Sequence, residues 1–217
     1  MLTKALILSL AVTACLADEI VRPCALTDLA CIRRNLAINS RCNPNVLGRV
    51  PAEYSVQLLK FYAPYFNSSY EDYNLIVRNH NRCRVSEFFF NLSSETVLLG
   101  LDCPQLEFES NRTVIQHATF KEDKYFSYRY KGNYPLVRLT TNLRYDNELN
   151  LCKSFTFADV TALPAFLISP NDPRTENYLS RDLTELNIFE RETFFWRASL
   201  LARYFINLIL CDFGCNY

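Results

Sequence analysis

Three residue types in this 217-residue chain could support covalent or coordination chemistry: cysteine, histidine, and asparagine within acceptor triplets. Nine cysteines are encoded. Cys15 lies in an N-terminal apolar run, and eight others follow: Cys24, Cys31, Cys42, Cys83, Cys103, Cys152, Cys211 and Cys215. No C-x2-C pair occurs, and His80 and His117 have no ligand-spaced partners, so the eight read as four disulfides and no metal site is expected. The triplets Asn67-Ser68-Ser69, Asn91-Leu92-Ser93 and Asn111-Arg112-Thr113 fit N-glycosylation. Catalytic patterns are absent. Glycine occurs only at 48, 100, 132 and 214, which excludes G-x-S-x-G and G-x-G-x-x-G. Glu122-Asp123 reads as a loop charge cluster and the two histidines as structural or solvated, so neither catalytic residues nor a cofactor is expected.

The compartment follows from the N-terminus. Lys4, an apolar run from Ala5 to Val12 and the small-residue context Ala14-Cys15-Leu16-Ala17 have the layout of a secretory signal peptide over residues 1–17. The run is shorter than the roughly 20 residues of a membrane span. Residues 18–217 then form a single exported domain, in which an even number of cysteines suits an oxidising environment. Without Lys4, 22 basic residues face 23 acidic ones with no basic run, which argues against nucleic-acid or anionic-membrane partners. A chain with four glycines and no repeats is globular and is not itself a fibre-forming polymer.

These residues need elements to position them. CALTDLACIRRNLAI (24–38) predicts a short helix started by Thr27 or Asp28, with Cys24 clipped to Cys31. From Ser55 to about Ile168, aromatic and β-branched residues alternate with polar ones, which predicts six to eight antiparallel strands. Gly132-Asn133 and Asp146-Asn147 read as turns between them. CRVSEFFF and TVLLGLDC form a hairpin about Ser93, with position 90 facing 96 and Cys83 facing Cys103 across the ladder. Phe88 and Phe90 then share one face while Phe89 points to the other, toward another part of the chain or a partner.

Asp172-Pro173 starts a helix predicted over most of 174–210. It is apolar around most of its circumference, including Phe194 and Leu201, with a thin polar stripe that includes Arg181 and Glu192. The expected fold is α+β: a strongly curved antiparallel sheet wrapped around a long C-terminal helix, with a short N-terminal helix and disulfide staples. Cys211 and Cys215 should each tie back to Cys42 or Cys152.

The segments RPC, NRCRVSEFFFN, DCPQLEFES, YPLVRLTT, SFTFADVTALP, LNIFERETFF and CDFGC, in order from about Arg22 to Cys215, closely resemble the fibrohexamerin family, the small glycoproteins of lepidopteran silk fibroin. The resemblance implies secretion into the silk gland lumen and glycans at Asn67, Asn91 and Asn111. It also implies non-covalent association with fibroin heavy and light chains, aiding their assembly, solubility and secretion. A fainter likeness, in the Cys24/Cys31 spacing, the long C-terminal helix and the curved sheet, is to juvenile-hormone-binding and takeout proteins. That likeness implies an alternative function, carriage of an apolar lipid or hormone in a helix–sheet tunnel. By the same analogy it favours a Cys152–Cys211 bridge.

Overall fold

The computed structural model describes residues 23–91, 96–144, 149–180 and 183–215. The expected leader, the hairpin tip around Ser93, the Asp146-Asn147 turn and the predicted exposure of Arg181 and Glu192 lie outside what it describes. Asp28 begins α1 (Leu29–Ile38), accepting the Cys31 N–H at 3.0 Å, and Ile32 and Leu36 bury their side chains one turn apart.

Seven antiparallel strands make one sheet: β1 (Glu53–Ala63), β2 (Ser68–Arg78), β3 (Arg84–Asn91), β4 (Thr96–Gln116), β5 (Lys124–Arg144), β6 (Phe155–Val160) and β7 (Ala165–Pro170). β4 and β5, each 21 residues long, pair from end to end. On one flank β4 pairs with β3 through its first half and with β2 through its second, and β1 lies outside β2. On the other flank β5 pairs first with β7 and then with β6.

The partner change falls at one place. Pro104 and Pro135 sit on the facing strands there, Gln105 takes a left-handed φ of 54°, and Gln105 and Pro135 drop out of the ladder. Proline cannot donate to a ladder, so these residues bend a continuous strand. Gly132-Asn133, expected as a turn, lies inside β5 opposite Phe108 and Glu107. Its glycine serves packing: a Cβ at position 132 would lie 2.3 Å from the Tyr130 hydroxyl.

The β3–β4 hairpin also differs from its expected register. Arg84 faces Asp102 as predicted, but Phe90 faces Val97, because a bulge between Val85 and Glu87 adds one residue to β3. Cys83 and Cys103 are bonded.

The long C-terminal helix is two helices. Asp172 caps α2 (Pro173–Leu179), accepting from the Thr175 N–H at 2.9 Å and the Thr175 hydroxyl at 2.7 Å, and Ser180 closes it. α3 (Leu183–Ile209) follows. A second start signal was present in the sequence, Asp182 with Glu185 three residues on.

The sheet curves around α3. The Tyr204 ring stacks on Tyr54 of β1 at 4.1 Å, Phe194 meets Phe108 of β4 and Tyr134 of β5 at 5.5 and 4.7 Å, and Phe195 meets Phe155 of β6 at 5.0 Å. Phe194, Ala198, Leu201, Ala202 and Phe205, spaced at three and four, are buried against the concave face.

The end of α3 is fastened to the N-terminal segment. The Arg33 guanidinium donates to the carbonyls of Ile209 and Leu210, at 2.8 and 3.1 Å, satisfying acceptors that a helix terminus leaves open. Asn43 and Asp212 exchange backbone hydrogen bonds, which brings Cys42 to Cys211. The chain then turns at Gly214, with φ of 68°, and carries Cys215 to Cys152. The expected Cys152–Cys211 bridge is therefore replaced by Cys42–Cys211 and Cys152–Cys215, because the two-residue bridge at Asn43 and Asp212 fixes which cysteines meet.

Candidate partner-binding surface and polar clusters

Strand alternation sorts the acceptor triplets. On β4, Asn111 and Thr113 point to the outer face while Arg112 between them is buried. Asn67 occupies a left-handed position at the β1–β2 tip, and Asn91 ends β3 opposite Thr96. All three belong to β4 or the strands on its β1–β3 flank. The outer face there also carries ion pairs, Lys60–Glu71, Arg78–Glu53, Arg78–Glu109 and Arg129–Glu109, with Arg138–Asp102 further along.

The opposite flank differs. Phe155 and Phe157 on β6 are each 52% exposed, on the strand face away from the buried Thr156. Phe195 packs against both, at 5.0 and 5.9 Å, and against the exposed Trp196 at 5.4 Å. The four rings form one contiguous apolar surface along β6 and α3. Phe89, half-exposed at 53%, is covered by none of the described residues to the depth of its neighbours Phe88 and Phe90.

Between helix and sheet lies a fully buried charge cluster. Asp72 of β2 faces Arg112 of β4 directly, accepting from its Nε at 2.6 Å and a terminal nitrogen at 3.2 Å. It also accepts from Ser110 Oγ at 3.0 Å and from Arg197 of α3 at 3.3 Å. The Arg112 guanidinium lies 4.1 Å from the Tyr130 ring centre, and Tyr130 and Tyr134 share a hydroxyl–hydroxyl bond of 2.6 Å. A signal for this cluster existed in the sequence. Asp72 shares the inward parity of Ser68 and Tyr70, Arg112 that of Phe108 and Val114, and Arg197 lies three residues after Phe194.

Both histidines are structural, one buried and one partly exposed. His80 is buried, with its Nδ1 2.9 Å from the Tyr54 hydroxyl and its ring beside Tyr204 and Phe205. Burial pushes its pKa down to about 3. It lies near Cys83 and Cys103, but those sulfurs are joined in a disulfide and do not make a metal site. His117 is bonded on both nitrogens, to Ser69 Oγ at 2.7 Å and to Asp123 Oδ2 at 2.8 Å. Asp123 is thus a partner of His117 and no free loop charge, and that hydrogen bond, with one from the Ala118 N–H, holds its carboxyl below the usual range. No local sequence pattern links Ser69, His117 and Asp123, because they meet only through the sheet.

Among the described residues no helix is long and apolar enough to cross a membrane. Comparison with solved structures finds Takeout 1 of Epiphyas postvittana, with a TM-score of 0.53 over 86% of this chain and 92% of that one at 11% identity, which establishes a shared fold. Among characterised sequences, fibrohexamerin of Galleria mellonella is 54% identical over 216 residues, spanning 98% of this chain and 99% of that protein. The family model described as Fibroin P25 matches residues 20–215. With that span and that identity, the chain belongs to the Fibroin P25 family.

Proposed function

We propose that this protein is a secreted structural glycoprotein of the silk fibroin complex, holding fibroin heavy and light chains by non-covalent contacts and keeping them soluble for assembly. The observation that carries the reading is the 54% identity to a fibrohexamerin along almost the whole chain. The molecule offers a surface suited to the task. Phe155, Phe157, Phe195 and Trp196 form an aromatic patch on the flank away from the acceptor triplets, so glycans at Asn67, Asn91 and Asn111 would leave it open. The eight cysteines outside the leader pair within the chain and leave no thiol for a bridge to fibroin.

The apolar-carrier alternative requires a tunnel between helix and sheet. That space is occupied by Phe108, Tyr130, Tyr134, Phe194, Arg112 and Arg197, all fully buried, which favours the assembly reading. The test is co-purification from secreted material. Phe157→Asp combined with Trp196→Asp should reduce recovery of fibroin chains while leaving secretion and the disulfides intact. Undiminished fibroin recovery would exclude this patch as the contact, and recovery of a bound lipid without fibroin would favour the carrier.

A further inference from the structure

Each of the three acceptor asparagines has a solvent-exposed aromatic ring beside it. Phe89 stands two residues before Asn91 on β3, so strand alternation puts both on one face, about 7 Å apart. The residue between them, Phe90, packs against the core. The same order recurs at the β1–β2 tip, where Phe66 packs against the core and Tyr65, two residues before Asn67, is 89% exposed. Tyr65-Phe66-Asn67 and Phe89-Phe90-Asn91 thus share one pattern: an exposed ring, a packed ring, then an acceptor. Asn111 follows Glu109 and Ser110 and lacks that pattern, but the neighbouring strand supplies the ring. Tyr73 of β2, itself exposed, is directly opposite Asn111 in the ladder, so the two side chains leave the same face with Cβ atoms about 4.5–5.5 Å apart.

The geometry around these pairs is held by printed contacts of the fold. At Asn67 the Tyr62 hydroxyl donates to Oδ1 at 2.8 Å and Nδ2 donates to the His117 carbonyl at 3.1 Å. Those bonds fix the amide plane and leave the second hydrogen of Nδ2 as the point of attachment. Tyr65 meets Phe66 edge to face at 5.0 Å. The Tyr73 hydroxyl donates to Glu71, which also pairs with Lys60, so that ring is tethered at its far end. A β-linked pyranose has one face of axial C–H groups, whose slight positive charge suits the negative face of an aromatic ring. Stacking there removes apolar area on both partners from water while the sugar hydroxyls stay solvated.

We propose that Tyr65, Phe89 and Tyr73 are docking platforms for the first N-acetylglucosamine of the chain's own glycans at Asn67, Asn91 and Asn111, which rests on the glycoprotein reading above. Each glycan is then laid along the surface instead of swinging from a single bond, and its first sugar covers a ring that would otherwise face water. The exposure of Phe89 is accounted for by this chain's own sugar, with no segment of fibroin required. The aromatic patch of β6 and α3 lies on the other flank and stays bare for the partner.

The test uses the secreted glycoprotein from insect cells treated with an inhibitor of mannose trimming, so that one enzyme cuts each glycan back to its first sugar and another removes it whole. Glycopeptide mapping reports occupancy. An unoccupied asparagine defeats both the glycoprotein reading and the platform at that position, whereas an occupied one beside an unprotected ring defeats the platform alone. The intact, one-sugar and sugar-free forms are exposed to hydroxyl radicals, which reach any ring face that water reaches, and oxidation is located by mass spectrometry. Tyr65, Phe89 and Tyr73 should oxidise about twofold or more slowly in the intact and one-sugar forms than in the sugar-free form, since a ring face is covered. Phe157, an exposed ring on the other flank, should oxidise equally in every form. In thermal unfolding, Phe89→Ser should lower Tm by about 1–6 °C more in the glycosylated chain than in an Asn91→Gln background. Equal oxidation with and without the first sugar at occupied sites, or additive effects of the two substitutions, overturns the proposal.

Discussion

Replacing Asp72 by Asn tests what holds helix to sheet. The carboxylate accepts two bonds from Arg112, one from Arg197 and one from Ser110, all in a fully buried setting. The amide keeps the shape but is neutral, and its NH2 must face a guanidinium donor where an oxygen stood. Breaking a buried ion pair from one side costs about 3–5 kcal/mol, because the remaining charge stays desolvated. For a domain of this size each kcal/mol lowers Tm by about 2–4 °C, so a fall of roughly 6–20 °C is expected. Urea unfolding without reductant, followed by circular dichroism, measures the free-energy change. A second variant separates charge from packing: Asp72→Leu with Arg112→Met and Arg197→Met removes every charge and should recover to within about 1–2 kcal/mol of wild type. A loss under about 1 kcal/mol for Asp72→Asn, or a triple variant no better than the single one, would refute the reasoning.

Gly132→Ala should cost about 2–3 kcal/mol in the same assay, since the new methyl displaces the Tyr130 hydroxyl from Tyr134 and its ring from Arg112. His80, with a folded pKa of about 3, binds fewer protons than the unfolded chain between there and the ordinary value of about 6.5. Stability should therefore fall as pH drops through that window, by about 3 kcal/mol at pH 4.5 relative to pH 7, and a His80→Gln variant should lack that part of the slope. Mass mapping under alkylation should find Cys42–Cys211 and Cys152–Cys215 with no free thiol, and fibroin should separate from the protein on a non-reducing gel. Changing Asn67, Asn91 and Asn111 together to Gln should lower secretion before it lowers fibroin recovery, and lost binding with normal secretion would mean that the glycans form the contact.

Much of the fold was legible because periodicity reports burial. Alternation identified the strands, the helical spacing of Phe194 and Leu201 marked the core-facing side of α3, and Asp28 and Asp172 announced their helices. The misread turn falls where one residue type has two uses. Gly132 signals a turn by its backbone preference, yet here it makes room within a strand whose hydrogen bonds reach far along the chain. The bulge in β3 left no trace in composition. Buried charges obey the same parity as the apolar residues around them, so Asp72, Arg112 and Arg197 could have been placed inside. Ser69, His117 and Asp123 could not, since no local pattern states that the β1–β2 tip and the β4–β5 loop share one end of the sheet.

Cys42–Cys211 and Cys152–Cys215 join residues 169 and 63 apart, and both close on cysteines that follow α3. During synthesis the N-terminal helix clip and the β3–β4 hairpin bridge, separated by 7 and 20, can close while the ribosome is still at work. The two long bridges wait for α3. Until Cys211 and Cys215 have emerged, Cys42 and Cys152 lack their partners and the concave face of the sheet has no complete helix to fill it. A chain that lacks α3 therefore exposes thiols and aromatic surface together, so a reactive mark and an apolar mark of incomplete folding disappear in the same step.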